Sequence, residues 1–307
     1  MERIPLSARA SWVERLKKEW RKNALVYIVM IPVLVHFLIF QALPLIGSFL
    51  LSFMNWPIIG EPEFVGLKNW ERLISDDLAW RSLWNTTLFT LYYVVPTMAM
   101  GLILALLVHQ KLHGAGFFKG IFFLPVVTSF VVIAGIWAWL FKGSEDGIVN
   151  YILGWFGIPP QVYFSDERLA LIVLAMLSVF KVSGGMMIYY LAGLKGIPDH
   201  LYEAAAIDGA TGWRRFWYIT FPLLKPTHFY VAVVTTIGSF QVFDSAFLLT
   251  DGGPNYATTT IVYYMYQTGF QFLQLGYASV LAYLLFMIIL SISLIQRKFL
   301  GREISFY

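Results

Sequence analysis

Six long apolar runs constrain this chain more than any other feature of its sequence. They cover roughly residues 25–52, 84–109, 119–141, 168–193, 226–249 and 277–296. A helix of about 20 apolar residues can cross a hydrocarbon core of about 30 Å, and a backbone inside lipid must satisfy its own hydrogen bonds. The runs therefore predict an all-α integral membrane protein with six transmembrane helices.

Composition supports this fold class. Hydrophobic residues make up 58% of the chain and charged residues 13%, whereas soluble domains are about one-quarter charged. A transmembrane β-barrel would need segments of about ten residues with alternating polarity, and the sequence has none. The first run is too long for a cleavable signal peptide and lacks a small-residue cleavage site after it. We expect it to remain as a helix.

The distribution of positive charge predicts the orientation in the membrane. Sixteen of the 22 lysines and arginines lie in the N-terminal arm and in the segments after the second, fourth and sixth runs. Such residues stay preferentially in the cytoplasm. We therefore expect a cytoplasmic basic arm (1–24), a transmembrane domain (25–300) and a cytoplasmic tail (301–307). The net charge of +4 is a topology signal and does not indicate binding to nucleic acid.

A polar loop between the fourth and fifth runs, residues 196–222, interrupts the apolar pattern on the predicted cytoplasmic side. Pro198 and Asp199 form a helix start, with the aspartate able to accept a hydrogen bond from free backbone amides. Gly209 is suited to closing this helix in a left-handed conformation. Thr211 can cap a second helix, which Pro222 is expected to end. The loop is predicted to be a helix, a turn and another helix.

The first of these helices carries small side chains beside one carboxylate. Ala204 and Ala205 follow Glu203, and Asp208 and Gly209 end the segment. Small residues let another surface approach the backbone closely, and one charge among them can orient the contact. This pattern favours docking over catalysis, with an ordinary solvated helix as the alternative.

The fourth run contains a lysine, Lys181, close to Gly184 and Gly185. A charged side chain at the bilayer centre costs about 2.5 to 3.5 kcal/mol on insertion scales, so it faces protein or water rather than lipid. Alternatively, Lys181 lies near the outer end and extends to the interface. The glycines allow either close helix contact or room for a ligand.

The polar residues of the fifth run include Ser239, Gln241 and Asp244. Gln241 and Asp244 are three residues apart, which places them on one side of a continuous helix. They could hydrogen-bond a polyol. Asp244 could equally pair with Lys181 inside the protein.

Several motifs of known chemistry are absent. The sequence has no cysteine and no GxxxxGK[ST], HExxH or GxSxG motif, and its five histidines are scattered. No catalytic residue, metal site or nucleotide site is predicted in this chain, and we expect it not to be an enzyme.

The loop resembles the EAA loop of permease subunits from binding-protein-dependent ABC importers. The resemblance rests on Glu203-Ala204-Ala205, on Gly209 four residues later, and on residues 219–222, ITFP. Within that family, YEAAAIDGA, the LTDGGP turn after the fifth run and FFLPVV in the third are similar to the carbohydrate-uptake branch, which includes maltose-type and glycerol-phosphate-type permeases. The similarity extends over about residues 25–300. Phe221 stands where leucine is common, a minor apolar exchange.

The resemblance implies a division of labour among subunits. A separate ATPase dimer would bind ATP and Mg and hold the helix at 199–208 in a cleft, with Glu203 as the anchor. A second, different permease chain would complete a heterodimer in a bacterial or archaeal plasma membrane, and an external solute-binding protein would deliver the sugar. The fourth and fifth spans would line the path, which makes Lys181, Gly185, Ser239, Gln241 and Asp244 candidates for substrate contact.

Two other classes of protein remain to be compared. An ion-coupled secondary transporter could use Asp244 as its coupling site, but such proteins often show internal repeats, and none is convincing here. A membrane scaffold without transport activity is the other. Neither needs a docking helix for an ATPase.

Overall fold

A computed structural model describes residues 7–56, 60–110 and 114–300. The tail 301–307 and the first six residues of the basic arm lie outside the described residues. Helices dominate the described chain, in agreement with the predicted all-α class. One short antiparallel pair of strands, β1 (Met54–Asn55) and β2 (Glu63–Phe64), follows the first apolar run.

Fifteen helices follow one another in the described chain. They are α1 (Ser7–Phe37), α2 (Leu43–Leu51), α3 (Lys68–Ser75), α4 (Asp77–His109), α5 (Ala115–Val127), α6 (Phe130–Leu140), α7 (Ile148–Gly154), α8 (Ala170–Lys195), α9 (Asp199–Ile207), α10 (Gly212–Arg215), α11 (Phe221–Leu223), α12 (Lys225–Phe240), α13 (Asp244–Leu249), α14 (Ile261–Tyr266) and α15 (Leu275–Leu300). Short π-helical segments continue α1 into α2, α10 into α11, and α14 toward α15.

Four stretches of the described chain are long and apolar enough to cross a membrane as helices: Lys22–Leu51, α4, α8 and Leu275–Phe299. The third run forms α5 and α6, which meet at a bend of 95° and count as a fifth span only if they are taken together. The described chain therefore contains four or five candidate spans by length, and the predicted six remains a prediction.

The fifth run accounts for the difference. Its helix α12 ends at Phe240, and Gln241, Val242 and Phe243 are not helical before α13 begins. The Thr260 hydroxyl donates to the Val242 carbonyl at 2.8 Å, so a side chain replaces the helical partner of that oxygen. Gln241 and Asp244 thus lie on either side of a break, and the prediction that one continuous helix carries them is wrong.

Helix α8 is the most buried of the candidate spans, with 61% of its most apolar window inside the protein against 28% for α4 and α15. Small residues bring its neighbours close. A Cβ added to Gly101 of α4 would lie 2.7 Å from Cβ of Met186, and one added to Gly184 would lie 2.0 Å from the Phe122 carbonyl oxygen of α5. Such contacts are how helices associate in lipid.

Asp76 joins three helices at the end of α4 that the charge pattern places outside. Its Oδ1 accepts from the amides of Leu78 and Ala79, which caps α4, and its Oδ2 accepts from Tyr264 of α14 at 2.7 Å and Tyr277 of α15 at 2.5 Å. Burial opposes ionisation, but the hydrogen bonds from the tyrosines and amides outweigh it and hold the pKa of the Asp76 carboxyl below its ordinary value.

Two adjacent glycines allow a matched test of the α5–α8 contact. Gly184→Ala is expected to lower the free energy of unfolding by about 2 kcal/mol, a typical cost of overpacking, because the new methyl group would collide with the Phe122 carbonyl. Gly185→Ala meets no atom within 4 Å and should be neutral or stabilising, since alanine favours helices. Thermal unfolding in detergent measures both, and equal stability of the two variants would contradict this packing.

Asp76→Asn is expected to cost about 2 kcal/mol, because charge-assisted hydrogen bonds to two tyrosines are lost. The pKa of Asp76 is lower in the folded chain than its ordinary value of 3.8. Its stabilisation is therefore complete above that value and fades as pH falls through the folded pKa. In unfolding curves from neutral to acidic pH, the variant should lose less stability than wild type. Asp77→Asn, at the exposed neighbouring position, should retain the wild-type profile.

Candidate functional site

The loop between α8 and α12 forms the predicted helix, turn and second helical segment. Helix α9 occupies Asp199–Ile207, and Gly209 closes it at φ +71°, in the left-handed region that glycine adopts without strain. Helix α10 then begins at Gly212, directly after Thr211. The first helix of the loop and the second helical segment are thus separated by only a few residues around Gly209.

Three details of the loop differ from prediction. Thr211 stands at the N-cap of α10, but its side chain makes no capping hydrogen bond. Pro198 precedes α9 and Asp199 lies inside it, and no side chain caps the helix start. The second segment does not end at Pro222 but continues through Leu223. Pro222 stands at the second position of α11, directly after the π-helical segment that continues α10.

Helix α9 has one face against the protein and one face open. Tyr202 packs against the cluster that contains Leu194 and Ile197, and its hydroxyl lies 3.0 Å from the hydroxyl of Thr220 on the returning segment. The predicted docking residues lie on the other side, where Glu203, Ala204, Asp208 and Gly209 are exposed and Ala205 is half-buried.

Two apolar residues that sequence reasoning did not select extend this exposed surface. Ile207 is 88% exposed and Trp213 is 70% exposed. Ile207 follows Glu203 by one helical turn, a spacing that could have indicated a shared face. An open surface of one carboxylate, small residues and large apolar side chains is suited to binding another protein.

The ends of α8 and α12 are joined directly above the loop. A Cβ on Gly193 would lie 2.3 Å from the Thr227 hydroxyl oxygen, which shows how closely the two helices approach. The hydroxyl of the fully buried Tyr190 lies 3.0 Å from Nδ1 of His228, whose ring contacts that of Phe221 at 4.6 Å. The returning segment of the loop is therefore attached to the buried helix α8.

Higher on α8, a cavity of about 990 Å³ opens between α5, α8 and the start of α13. Three of the five predicted path residues line it: Lys181, Gly185 and Asp244. Lys119 and Tyr189 line it as well. Charged, aromatic and apolar groups thus surround one space large enough for a small organic molecule.

The ammonium group of Lys181 donates hydrogen bonds to the backbone at the bend of the third run. Its Nζ donates to the carbonyl oxygens of Pro125, Val126 and Thr128, each at 2.9 Å. The ion pair that the described residues contain joins Lys142 to Asp146 at 2.6 Å. Lys181 and Asp244 therefore form no ion pair within 4 Å among the described residues, although the two charges attract each other.

The remaining candidates separate. Gln241 and Asp244 both line a second cavity of about 140 Å³ next to the first. Ser239 is 1% exposed and donates to the Thr236 carbonyl at 2.8 Å within its own helix, so it reaches neither space. Within the described chain, there is no group of three or more histidine, cysteine, aspartate or glutamate side chains that could hold a metal ion.

Comparison with known proteins gives consistent matches. Residues 78–300 match the family of binding-protein-dependent transport system inner membrane components. The chain is similar to the arabinooligosaccharides transport system permease protein AraP of Bacillus subtilis, with 34% identity over 92% of this chain and 90% of that protein. It is also similar to the trehalose/maltose transport system permease protein MalF of Thermococcus litoralis, with 34% identity over 92% and 95%.

A solved structure extends the similarity to three dimensions. A chain of the bacterial alginate ABC transporter, in complex with alginate pentasaccharide-bound periplasmic protein, matches with a TM-score of 0.82 and 26% identity. The match covers 94% of this chain and 98% of that chain. The architecture is thus shared nearly from end to end.

Tyr190→Phe tests the joint between α8 and α12. Removal of the hydroxyl leaves Nδ1 of His228 without its buried partner, and we expect a loss of about 1 to 2 kcal/mol in the free energy of unfolding. Tyr189→Phe is the neighbouring control, because that side chain is 39% exposed. Thermal unfolding of both variants in detergent decides, and an unchanged midpoint for Tyr190→Phe would contradict a stabilising hydrogen bond.

Proposed function

Because the chain belongs to the family of binding-protein-dependent transport system inner membrane components, we propose that it is a permease subunit of an ATP-driven importer for a sugar, an oligosaccharide or a sugar-like polyol. The observation that carries the proposal is the full-length similarity to permeases named for arabinooligosaccharides and for trehalose/maltose. The chain would form half of the translocation path across a bacterial or archaeal plasma membrane through six spans, with both termini in the cytoplasm.

Helix α9 is the proposed contact with the ATPase. Glu203 would anchor it in a cleft of an ATPase subunit, while Ala204 and Ala205 allow close approach and Asp208 and Gly209 complete the loop. The exposure of this face, with Ile207 and Trp213 beside it, supports a protein contact. ATP and Mg would bind to the partner, since the sequence contains no GxxxxGK[ST] motif.

Transport would follow from a nucleotide-driven shift between inward-open and outward-open states. The joint of Tyr190 and His228 supports such a role, because it links the coupling loop to the helix that carries Lys181 and Gly185. Gln241 and Asp244 would border the path, and Ser239 would support it from a buried position.

Two further partners complete the proposal. A second, different permease chain would supply the other half of the path, and an external solute-binding protein would deliver the substrate. The related alginate transporter was solved with a periplasmic protein bound, which supports the second partner. Lipid would surround the apolar helices, since the most apolar 18-residue window of the first span contains no buried residue.

Glu203→Ala tests the proposal most directly. In vesicles containing the co-expressed complex, we expect ATP-dependent sugar uptake to fall roughly tenfold or more, the effect of losing an interface hot spot worth about 2 kcal/mol. Membrane insertion should be unchanged, because this side chain is exposed. Glu71→Ala, which alters an exposed glutamate on α3, is the control.

Uptake that continues at the wild-type rate without ATP would overturn the importer proposal. That result would instead favour an ion-coupled secondary transporter with Asp244 as the coupling site.

A further inference from the structure

The charge of the substrate differs among the relatives of this chain. They include a permease for arabinooligosaccharides and a transporter for alginate, an acidic polysaccharide. The cavity between α5 and α8 contains both signs of charge, because Lys181, Lys119 and Asp244 all line it. Which of these groups can still bind a ligand decides what the cavity accepts.

Lys181 has no donor left for a substrate. An ammonium group has three N–H donors, and three backbone carbonyl oxygens lie at 2.9 Å from Nζ. These oxygens belong to the bend at the end of α5, where the helix no longer supplies partners. To accept a hydrogen bond from this ammonium group, an anionic ligand would have to displace one of the three carbonyl oxygens. The displaced oxygen would be left without a hydrogen bond in apolar surroundings, which is costly.

The carboxylate of Asp244, in contrast to the ammonium group of Lys181, is available to a ligand. Its side chain is exposed and borders both the larger and the smaller cavity. Among the described residues, no hydrogen bond and no ion pair within 4 Å engages its carboxylate, and its attraction to the charge of Lys181 acts over a longer distance. A carboxylate only accepts hydrogen bonds, and bonds to its charged oxygens are stronger than neutral ones. It therefore suits sugar hydroxyl groups and repels carboxylates and phosphates.

The second cation, Lys119, lines the same cavity but lies on a different turn of α5 from the carbonyl oxygens that hold Lys181. Lys119 precedes Val126 by seven residues on α5, a separation of about 10 Å along a helix. Val126 is one of the residues that hold Lys181. The charge of Lys119 thus lies toward the opposite end of the helix from the bend, away from the Lys181 ammonium.

We propose that Asp244 selects the substrate by accepting hydrogen bonds from hydroxyl groups, and that Lys181 is a positioning residue that holds the α5–α6 bend. The cavity is then specific for neutral saccharides and disfavours uronates and sugar phosphates. This inference rests on the proposed function of the chain as a sugar permease.

The absence of cysteine from the sequence permits a direct binding test that does not depend on the solute-binding protein. Ile188 lines the cavity, and Ile188→Cys in the assembled complex supplies a single maleimide-reactive position in this chain. The rate of maleimide labelling of this chain is measured by mass spectrometry in the presence of each saccharide. Maltotriose and arabinotriose are the neutral probes, and trigalacturonate is the anionic probe. The background is used only if it retains ATP-dependent uptake.

We expect the neutral trisaccharides to slow labelling and trigalacturonate to have at least tenfold weaker effect. Asp244→Asn should narrow this difference, since the amide removes the negative charge at nearly constant shape. It should also raise the concentration of neutral sugar needed for protection by roughly tenfold, the equivalent of one charge-assisted hydrogen bond.

Lys181→Met separates the two roles of the lysine. A positioning role predicts weaker protection by all three saccharides in the same proportion and a lower unfolding temperature. A binding role predicts selective loss of protection by trigalacturonate, which would overturn the assignment of Lys181. Lys119→Gln serves as the charge-matched control and should leave the preference for neutral sugars in place. If Lys181→Met does not assemble, the wild-type and Asp244→Asn backgrounds still test the selection by charge.

Stronger protection by trigalacturonate than by the neutral sugars in the wild-type background would overturn the inference, as would no protection by any saccharide. Uptake measured in the same vesicles keeps the two proposals distinct. Loss of ATP dependence refutes the importer, whereas ATP-dependent uptake with anionic protection refutes only the selection by Asp244.

Discussion

The structure around the cavity between α5 and α8 depends on one requirement. Backbone carbonyls that lose their helical partners at a bend in an apolar segment must accept hydrogen bonds from another donor. The third run turns by 95° between α5 and α6, and Lys181 of α8 supplies three hydrogen bonds to the oxygens at that turn. A lysine is expensive within a membrane, but here its charge is matched by three carbonyl dipoles. The lysine satisfies the free carbonyls of the bend, and these carbonyls in turn stabilise the charge of the lysine.

Helix α8 connects this bend to the rest of the molecule. Gly184 lets α5 approach and Gly193 lets α12 approach, while Tyr190 contacts His228 at the base of the loop. Because lipid provides no hydrophobic force between helices, close packing and hydrogen bonds must hold them together. One helix therefore carries the cavity wall at its middle and the loop at 196–222 at its end.

Much of this arrangement could be predicted because it depends on local sequence. The loop at 196–222 contains its own start, turn and second segment, and Gly209 adopts the left-handed conformation expected of it. The breaks were harder to foresee. A proline such as Pro125 is a local signal for a bend in a helix. No local signal placed the end of α12 at Phe240, because that end depends on Thr260 donating to Val242 from 18 residues away.

The sequence by itself determined the membrane class, the positions of the apolar runs, the helix–turn–helix form of the loop at 196–222 and the family, since each follows from composition or from residues close together in the chain. Only the tertiary structure decided which polar groups in the cavity are available. Lys181 meets its partners across 53 to 56 residues, Ser239 turns to its own helix, and Asp244 remains open to the cavity. Whether a donor is occupied depends on distances between segments, which a pattern of residue types does not contain.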